Sequence, residues 1–360
     1  MNSFGFISLN PELENGYFTE VAKLAPQYDI ECYRFIPTNI NPVTHLVRGE
    51  KFHNNLEEWQ PAEFPLPDIL YDRCFYGEHS RDKNALAIMK WLKKRSDLVF
   101  IGHGLPDKWN LYRTLINSDL SPYIIKTIPV KDPLAVLAFL DNEKKIILKP
   151  AVGSGGMGIA SLEKENETIS VTVEKQQQLF RSTFPSTSIA EKWIDNLREK
   201  KDYLAQSYLK LVDQQNRPFD IRILMQKDGD GQWVERGRGL RTGQQDGILS
   251  NLSAGAETQS VDNWLNSLDS KKTEFLQREL TEITTQLPKI IEQTYPPLFE
   301  IGIDIGVAQD LSLWILDVNS KPGRKVVLET TPNAQESLYK APLEYGKTLA
   351  KDLLAREEQL

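Results

Sequence analysis

The sequence predicts a mixed α/β (α+β) chain: a small, largely parallel α/β unit leads a larger part built on longer strands. Three observations predict it. The first hundred or so residues alternate short apolar runs with amphipathic helical patterns. From residue 218 the strands lengthen and are separated by Gly-Asp turns. The length, 360 residues, exceeds one ordinary core and suits two or three compact units.

In order along the chain, FGFISL (4–9) reads as a strand and YFTEVAKLA (17–25) as the helix behind it. DILYDRCF (68–75), entered through the proline-rich FPLP, is a further strand. DKNALAIMKWLKKRSD (82–97) spaces its apolar residues helically and ends in a basic turn, which suits a helix C-terminus. LVFIG (98–102) is a buried strand, and residues 1–104 make an N-terminal domain. LPDKWNLYRTLINSD opens the second unit, 105–205, with Asp107 as a helix N-cap. KKIILKP (144–150) is a strand, AVGSGGMG a glycine loop and IASLEKENETISVTV a returning strand pair. SIAEKWIDNLREK (188–200) is a helix and YLAQSYL (203–209) a short strand or connector. In the third unit, 206–360, PFDIRILMQKD, QWVERGRGLR and DGILSNLS are strands, and a long helix covers roughly 271–294. EIGIDIGVA (300–308) and SLWILDVNS (312–320) pair antiparallel through a QDL turn, and a polar helix from about 334 closes the chain.

The balance of charges excludes several classes. A formal net charge of −7 argues against global attraction to nucleic acid or anionic membrane. No apolar stretch approaches the roughly 20 residues of a membrane span, and the start MNSFGFISLNPELENG lacks a signal-peptide pattern. The two cysteines, Cys32 and Cys74, define no disulfide framework, and the four histidines lack metal-ligand spacing. A reduced, cytoplasmic, soluble protein is expected.

Three motifs carry chemistry. In KPAVGSGGMG, Lys149 ends a strand, and Gly153, Ser154, Gly155, Gly156 and Gly158 follow. Glycines let backbone N–H groups close around phosphate oxygens, although a flexible hairpin turn has the same composition. The lysine precedes the loop and no helix follows it, so neither common nucleotide fingerprint applies. Lys149 is read as solvent-facing. The second motif is IGIDIGVAQDLSLWILDVN. Asp317 and Asn319 lie two apart and so share a strand face, and Asp304, thirteen residues earlier, reaches the same point if the strands form a hairpin. Three oxygen ligands on neighbouring strands suit Mg²⁺, while a pair of strand-end caps is the alternative. The third is FDIRILM, where Asp220 and Arg222 occupy one face, either as an intrastrand ion pair or as part of a cationic wall with Arg236, Arg238 and Arg241. Tyr71, Arg73, His79 and Arg81, at or after a strand end, are substrate-contact or plain loop residues.

Lys108 in LPDKW, Lys149 with its loop, AQSYL, FDIR and D-x12-DVNSKPG occur in the order of the ATP-grasp superfamily, which the chain resembles over about 105–325. PDILYDRC, YRTL and RTGQQDGILSNLSAGAE are similar to its endospore-coat-associated YheC/YheD-type branch. The resemblance implies an ATP-grasp fold behind a small N-terminal domain. It implies ATP phosphates at Lys108 and Lys149 under the glycine loop, and adenine along Gln206 to Leu209, read by backbone at Tyr208 and Leu209. One or two Mg²⁺ ions, replaceable by Mn²⁺, would sit at Asp304, Asp317 and Asn319. Arg222, with Arg241 and Asn251, would face the transferred phosphoryl group. The implied activity is an ADP-forming ligase joining a small-molecule or peptide carboxylate to an amine or thiol co-substrate. A kinase-like phosphotransferase, or a nucleotide-binding structural or spore-coat assembly protein, are the other readings. Oligomeric state is not read. Two departures stand out: Asp317 replaces the glutamate of many relatives, and Gly302 replaces an arginine of D-alanine–D-alanine-type ligases, so that Arg222, Arg238 or Arg241 has to serve instead.

Overall fold

The computed structural model describes residues 2–357 apart from 77–79, 154–157, 167, 176–177, 214 and 246–256. Ser154, Gly155, Gly156, Asn251 and His79 therefore lie outside the described residues, as does the expected strand DGILSNLS.

Three sheets organise the chain. In the first, the order is Glu58–Pro65, Leu46–His53, Glu31–Phe35, Ser3–Ile7, Ile69–Asp72, Val99–Phe100. Its last four members are parallel, as the strand–helix alternation predicts. Its first two form an antiparallel hairpin that the sequence reading passed over. That hairpin buries only Val47, Phe52 and Phe64 along sixteen positions, too few apolar residues to mark it as a strand pair.

The second sheet is antiparallel throughout, ordered Gln178–Phe184, Thr168–Lys175, Ala160–Glu165, Lys145–Pro150, Tyr203–Ser207, Thr127–Pro129. Helices Pro133–Glu143 and Thr187–Arg198 pack on it through Val136, Leu140, Ala190 and Ile194. Helix Lys108–Ile116 buries Leu111 and Leu115 in the core of the third sheet, and the second sheet takes its first strand only at Thr127.

The third sheet runs Glu257–Ser260, Trp233–Thr242, Phe219–Lys227, Glu300–Val307, Leu313–Asn319, again antiparallel. Period-two alternation divides its faces. Ile221, Ile223, Ile301, Ile303 and Ile305 pack against Leu276, Leu280, Ile283, Leu287 and Ile291 of helix Ser270–Thr294. The other face carries Asp220, Arg222 and Asp304 at one end. At the other end Leu224 joins a core shared with Phe4, Phe6, Phe18 and Tyr71 of the first sheet's unit. Helix Gln335–Glu357, read as polar from sequence, contributes Leu338, Ala341 and Leu343 to that same core.

Candidate active site

The strand pair Glu300–Val307 and Leu313–Asn319 brings the expected acids together. Asp304 stands opposite Asp317 in register, and Gly302 opposite Asn319. Directly opposed side chains on one face lie within about 5 Å at Cβ. The register shifts between Asp304 and Ile305, which leaves Leu316 as an extra residue on its strand. Its carbonyl accepts from Lys149 Nζ at 3.1 Å. The bulge thus joins the acidic strand to the strand that leads into the glycine loop.

Lys149 is not the solvent-facing lysine of the sequence reading. Its ammonium donates to the Leu316 carbonyl and to Gln206 Oε1 at 3.0 Å, and Gln206 in turn donates to Thr127 Oγ1 at 3.0 Å. Burial, reinforced by the neighbouring Lys108 charge, lowers its pKa from 10.5 to about 8. Below pH 8 the folded protein carries a confined charge. Between about 8 and 10.5 it holds fewer protons here than the unfolded chain, so this group's contribution to stability rises with pH across that window. A phosphate ligand favours the charged form. ATP binding at pH 8.5 is therefore expected to take up protons, and affinity to fall as pH rises past 8. Calorimetry in two buffers of different ionisation enthalpy reads this directly. Equal heats for the wild type, or unequal ones persisting in Lys149→Arg, would contradict it.

Lys108 is the first residue of its helix, whose N-cap Asp107 accepts from Asn110 N–H at 2.9 Å, as expected. Lys108 N–H donates to the Ala151 carbonyl at 3.1 Å, so the helix start is tied to the entry of the glycine loop. Its ammonium meets Asp317 Oδ2 at 2.8 Å. Gly158, at the loop exit, has φ +79°, and a Cβ there would lie 2.9 Å from the Tyr203 hydroxyl. Only glycine fits that position.

The FDIR charges pair across strands rather than with each other. Arg222 grips both oxygens of Asp304, with Nη2–Oδ2 at 2.9 Å. Arg241 forks onto Asp220 at 2.7 Å for each bond and reaches Asp304 at 3.0 Å. Burial alone would raise the Asp304 carboxyl, but the Arg222 and Arg241 charges overturn that and hold it below the usual carboxylate range. Of the expected cationic wall only Arg222 and Arg241 remain. Arg238 pairs in register with Ile223, on the opposite face, and is held by Glu235. Position 302 is closed to any side chain, since a Cβ there would come within 2.7 Å of Pro322 Cβ. Arg222 Nη1 lies 3.5 Å from the same point, which makes Arg222 the arginine nearest the one that Gly302 replaces.

Of the connector residues, Gln206 lies within strand Tyr203–Ser207, one residue before its end. Tyr208 N–H is already spent on the Lys145 carbonyl at 3.2 Å, and the Leu209 carbonyl accepts from Leu211 N–H at 3.0 Å. A small open cleft lies between Lys108, Tyr112, Thr127, Lys149, Gln206 and Asp317. Tyr71 and Arg73 are not open substrate contacts. They are buried with Glu14, Glu300 and Arg324: Arg73 Nε donates to Glu14 at 2.7 Å, and Arg324 Nη2 donates to Glu300 Oε2 at 3.0 Å and to the Tyr71 hydroxyl at 2.8 Å. Arg81 is exposed on helix Ser80–Leu92. Sequence reasoning missed this network and the roles of Thr127, Asp220 and the Leu316 carbonyl.

Among the described residues no group of three or more His, Cys, Asp and Glu could hold a metal, and no helix is long and apolar enough to cross a membrane. Asp304, Asp317 and Asn319 nevertheless supply hard oxygen donors only, on adjacent strands, and Asn319 makes no side-chain hydrogen bond among the described residues. As a donor set they fit Mg²⁺ or Mn²⁺.

An antiparallel sheet bearing a lysine and a glycine loop, set against a second antiparallel sheet bearing paired acids and arginines, is the arrangement of an ATP-grasp protein. The YheC/D-like ATP-grasp family pattern matches residues 97–349. Over 365 residues the chain is 38% identical to endospore coat-associated protein YheC of Bacillus subtilis (strain 168), covering 99% of this chain and 100% of that one. The chain belongs to the YheC/YheD-like ATP-grasp family. Among solved structures, D-cycloserine synthetase DcsG shares the fold with a TM-score of 0.55 at 13% identity, over 98% of this chain and 100% of that one. The D-alanine–D-alanine ligase of Coxiella burnetii does so at 0.53 and 11% identity, over 99% of each.

Proposed function

We propose that the protein is an ATP-dependent ligase that joins a carboxylate to an amine or thiol through an acyl phosphate, releasing ADP and phosphate. The observation that carries this reading is the convergence of Lys108, Lys149, Arg222, Arg241, Asp304 and Asp317 where the second and third sheets meet. The solved structures that share the fold include proteins named as a synthetase and a ligase, which supports the same class.

In this reading Lys108 and Lys149 hold phosphate oxygens under the loop that begins at Gly153, and Gln206 keeps the Lys149 ammonium in place. Adenine lies along Gln206 to Leu209. Asp304, Asp317 and Asn319 would hold one or two Mg²⁺ ions, or Mn²⁺, which when bound neutralise the outer phosphates. A carboxylate oxygen of the substrate attacks the γ-phosphorus, the bond to ADP breaks, and Arg222 stabilises the charge on the group in transit. Asp220 fixes Arg241 behind it. The nucleophile then attacks the acyl carbon, phosphate leaves, and the nucleophile's proton passes to water. Positioning and charge do this work, and no protein nucleophile is needed. The substrates are a small-molecule or peptide carboxylate and its partner nucleophile, with neither nucleic acid nor membrane involved. The buried free cysteines Cys32 and Cys74 are in keeping with a cytoplasmic setting.

The name of the B. subtilis relative favours one second reading, a nucleotide-binding spore-coat assembly protein. Product analysis separates the alternatives. ADP and phosphate formed only when a carboxylate and a nucleophile are both present supports the ligase. AMP and pyrophosphate would overturn the mechanism. A stable phosphorylated product formed without any nucleophile would make the protein a kinase, and nucleotide binding without turnover across amino acids and peptides favours assembly.

A further inference from the structure

Among the described residues the site face carries four cations, Lys108, Lys149, Arg222 and Arg241, against three carboxylates, Asp220, Asp304 and Asp317. Every carboxylate is already engaged. Arg241 forks onto Asp220, Arg222 and Arg241 share Asp304, and Lys108 holds Asp317. A bare divalent cation approaching Asp317 therefore meets a surplus of positive charge and an occupied ligand.

The pairs differ in hold. Arg222 engages both oxygens of Asp304, and both side chains are about nine-tenths buried, at 12% and 11% exposure. Lys108 engages one oxygen of Asp317, and both partners are 23% exposed. A single lysine bond with water access is the weaker of the two. Lys108 also sits at the first position of its helix, where the helix dipole disfavours a cation and favours an anion. Asp317 offsets that at present, and a phosphate would offset it equally well.

We infer that Lys108 is an exchangeable stand-in for the metal on Asp317. When a metal–nucleotide complex enters, Lys108 passes from the carboxylate to a phosphate oxygen, and the freed carboxylate takes the divalent cation. The consequence is positive coupling: metal binds poorly alone and well with nucleotide, and nucleotide binds better with metal, by the same factor. This rests on the nucleotide and metal assignment of the site but not on ligation, because the test reads binding alone.

Mn²⁺ serves as a spectroscopic probe. Its dissociation constant is measured by electron paramagnetic resonance on the full-length protein, with and without ADP, for wild type, Lys108→Met and Lys108→Arg. Wild type should bind Mn²⁺ about 5-fold or more tightly with ADP present. Lys108→Met removes the competitor and should bind Mn²⁺ alone more tightly than wild type does, while ADP affinity falls and the coupling shrinks. Lys108→Arg should restore wild-type behaviour. A folded Lys108→Met protein whose Mn²⁺ affinity is unchanged or weaker without nucleotide overturns the exchange. No Mn²⁺ or ADP binding by wild type overturns the site assignment beneath it. Normal exchange in a protein that never forms a ligation product would instead sink only the ligase reading.

Discussion

Arg222→Ala is expected to lower ADP formation about 10³-fold or more, while ADP itself binds within a few-fold of wild type. The guanidinium stands in register beside Asp304, with Nη1 3.5 Å from where a Cβ of residue 302 would lie. Its charge is needed most when the γ-phosphoryl group is in transit, so kcat falls and binding is largely spared. Asp304 keeps Arg241 at 3.0 Å, and the carboxylate is not left unpaired, so the protein stays folded. Arg238→Ala, on the other face, is the control and should change turnover little. Turnover and nucleotide affinity measured on the same preparations decide the matter. A loss under about tenfold would remove Arg222 from the reaction.

Glu300→Ala has the largest expected effect on stability, a loss of about 3–5 kcal/mol. Glu300 is 2% exposed and accepts from Arg73, Arg324, Tyr71 and Gln226. Truncation leaves two buried guanidinium groups with Glu14 alone to answer them. The same network ties the N-terminal sheet to the strand that carries Asp304, and Arg73 also donates to the Pro322 carbonyl just beyond Asn319. Denaturant unfolding of the variant measures the loss. A destabilisation below about 1 kcal/mol would mean that apolar contacts, not this network, hold the first sheet to the third.

What was legible in the sequence follows from locality. Asp304, Asp317 and Asn319 could be placed on one face because a strand repeats every two residues and a short QDL turn fixes the hairpin. Asp107 could be read as a cap because capping is settled within three residues. The partner of Arg222 could not be read, because it depends on which residue of a distant strand falls opposite, and register set it as Asp304 rather than the neighbouring Asp220. Lys149 looked solvent-facing because the groups that enclose it, Gln206 and the Leu316 carbonyl, lie 57 and 167 residues away. The Glu14, Glu300 and Arg324 cluster left no local signal for the same reason, since Glu14 lies 310 residues from Arg324 and the three meet only in the fold. That helix Lys108–Ile116 packs Leu111 and Leu115 on the third sheet could not be read either, because nothing in its apolar spacing says which sheet it will cover. The hairpin of residues 46–65 was lost because its few buried side chains left no periodic apolar signal.

If the reaction passes through an acyl phosphate, an oxygen of the substrate carboxylate must leave in the released phosphate. Once product analysis has found a carboxylate that supports ADP formation, both of its oxygens are labelled with ¹⁸O and the released phosphate is analysed by mass spectrometry. Attack of the carboxylate on the γ-phosphorus carries one labelled oxygen into each phosphate released in ligation. Unlabelled phosphate, or label appearing in AMP, would contradict the account.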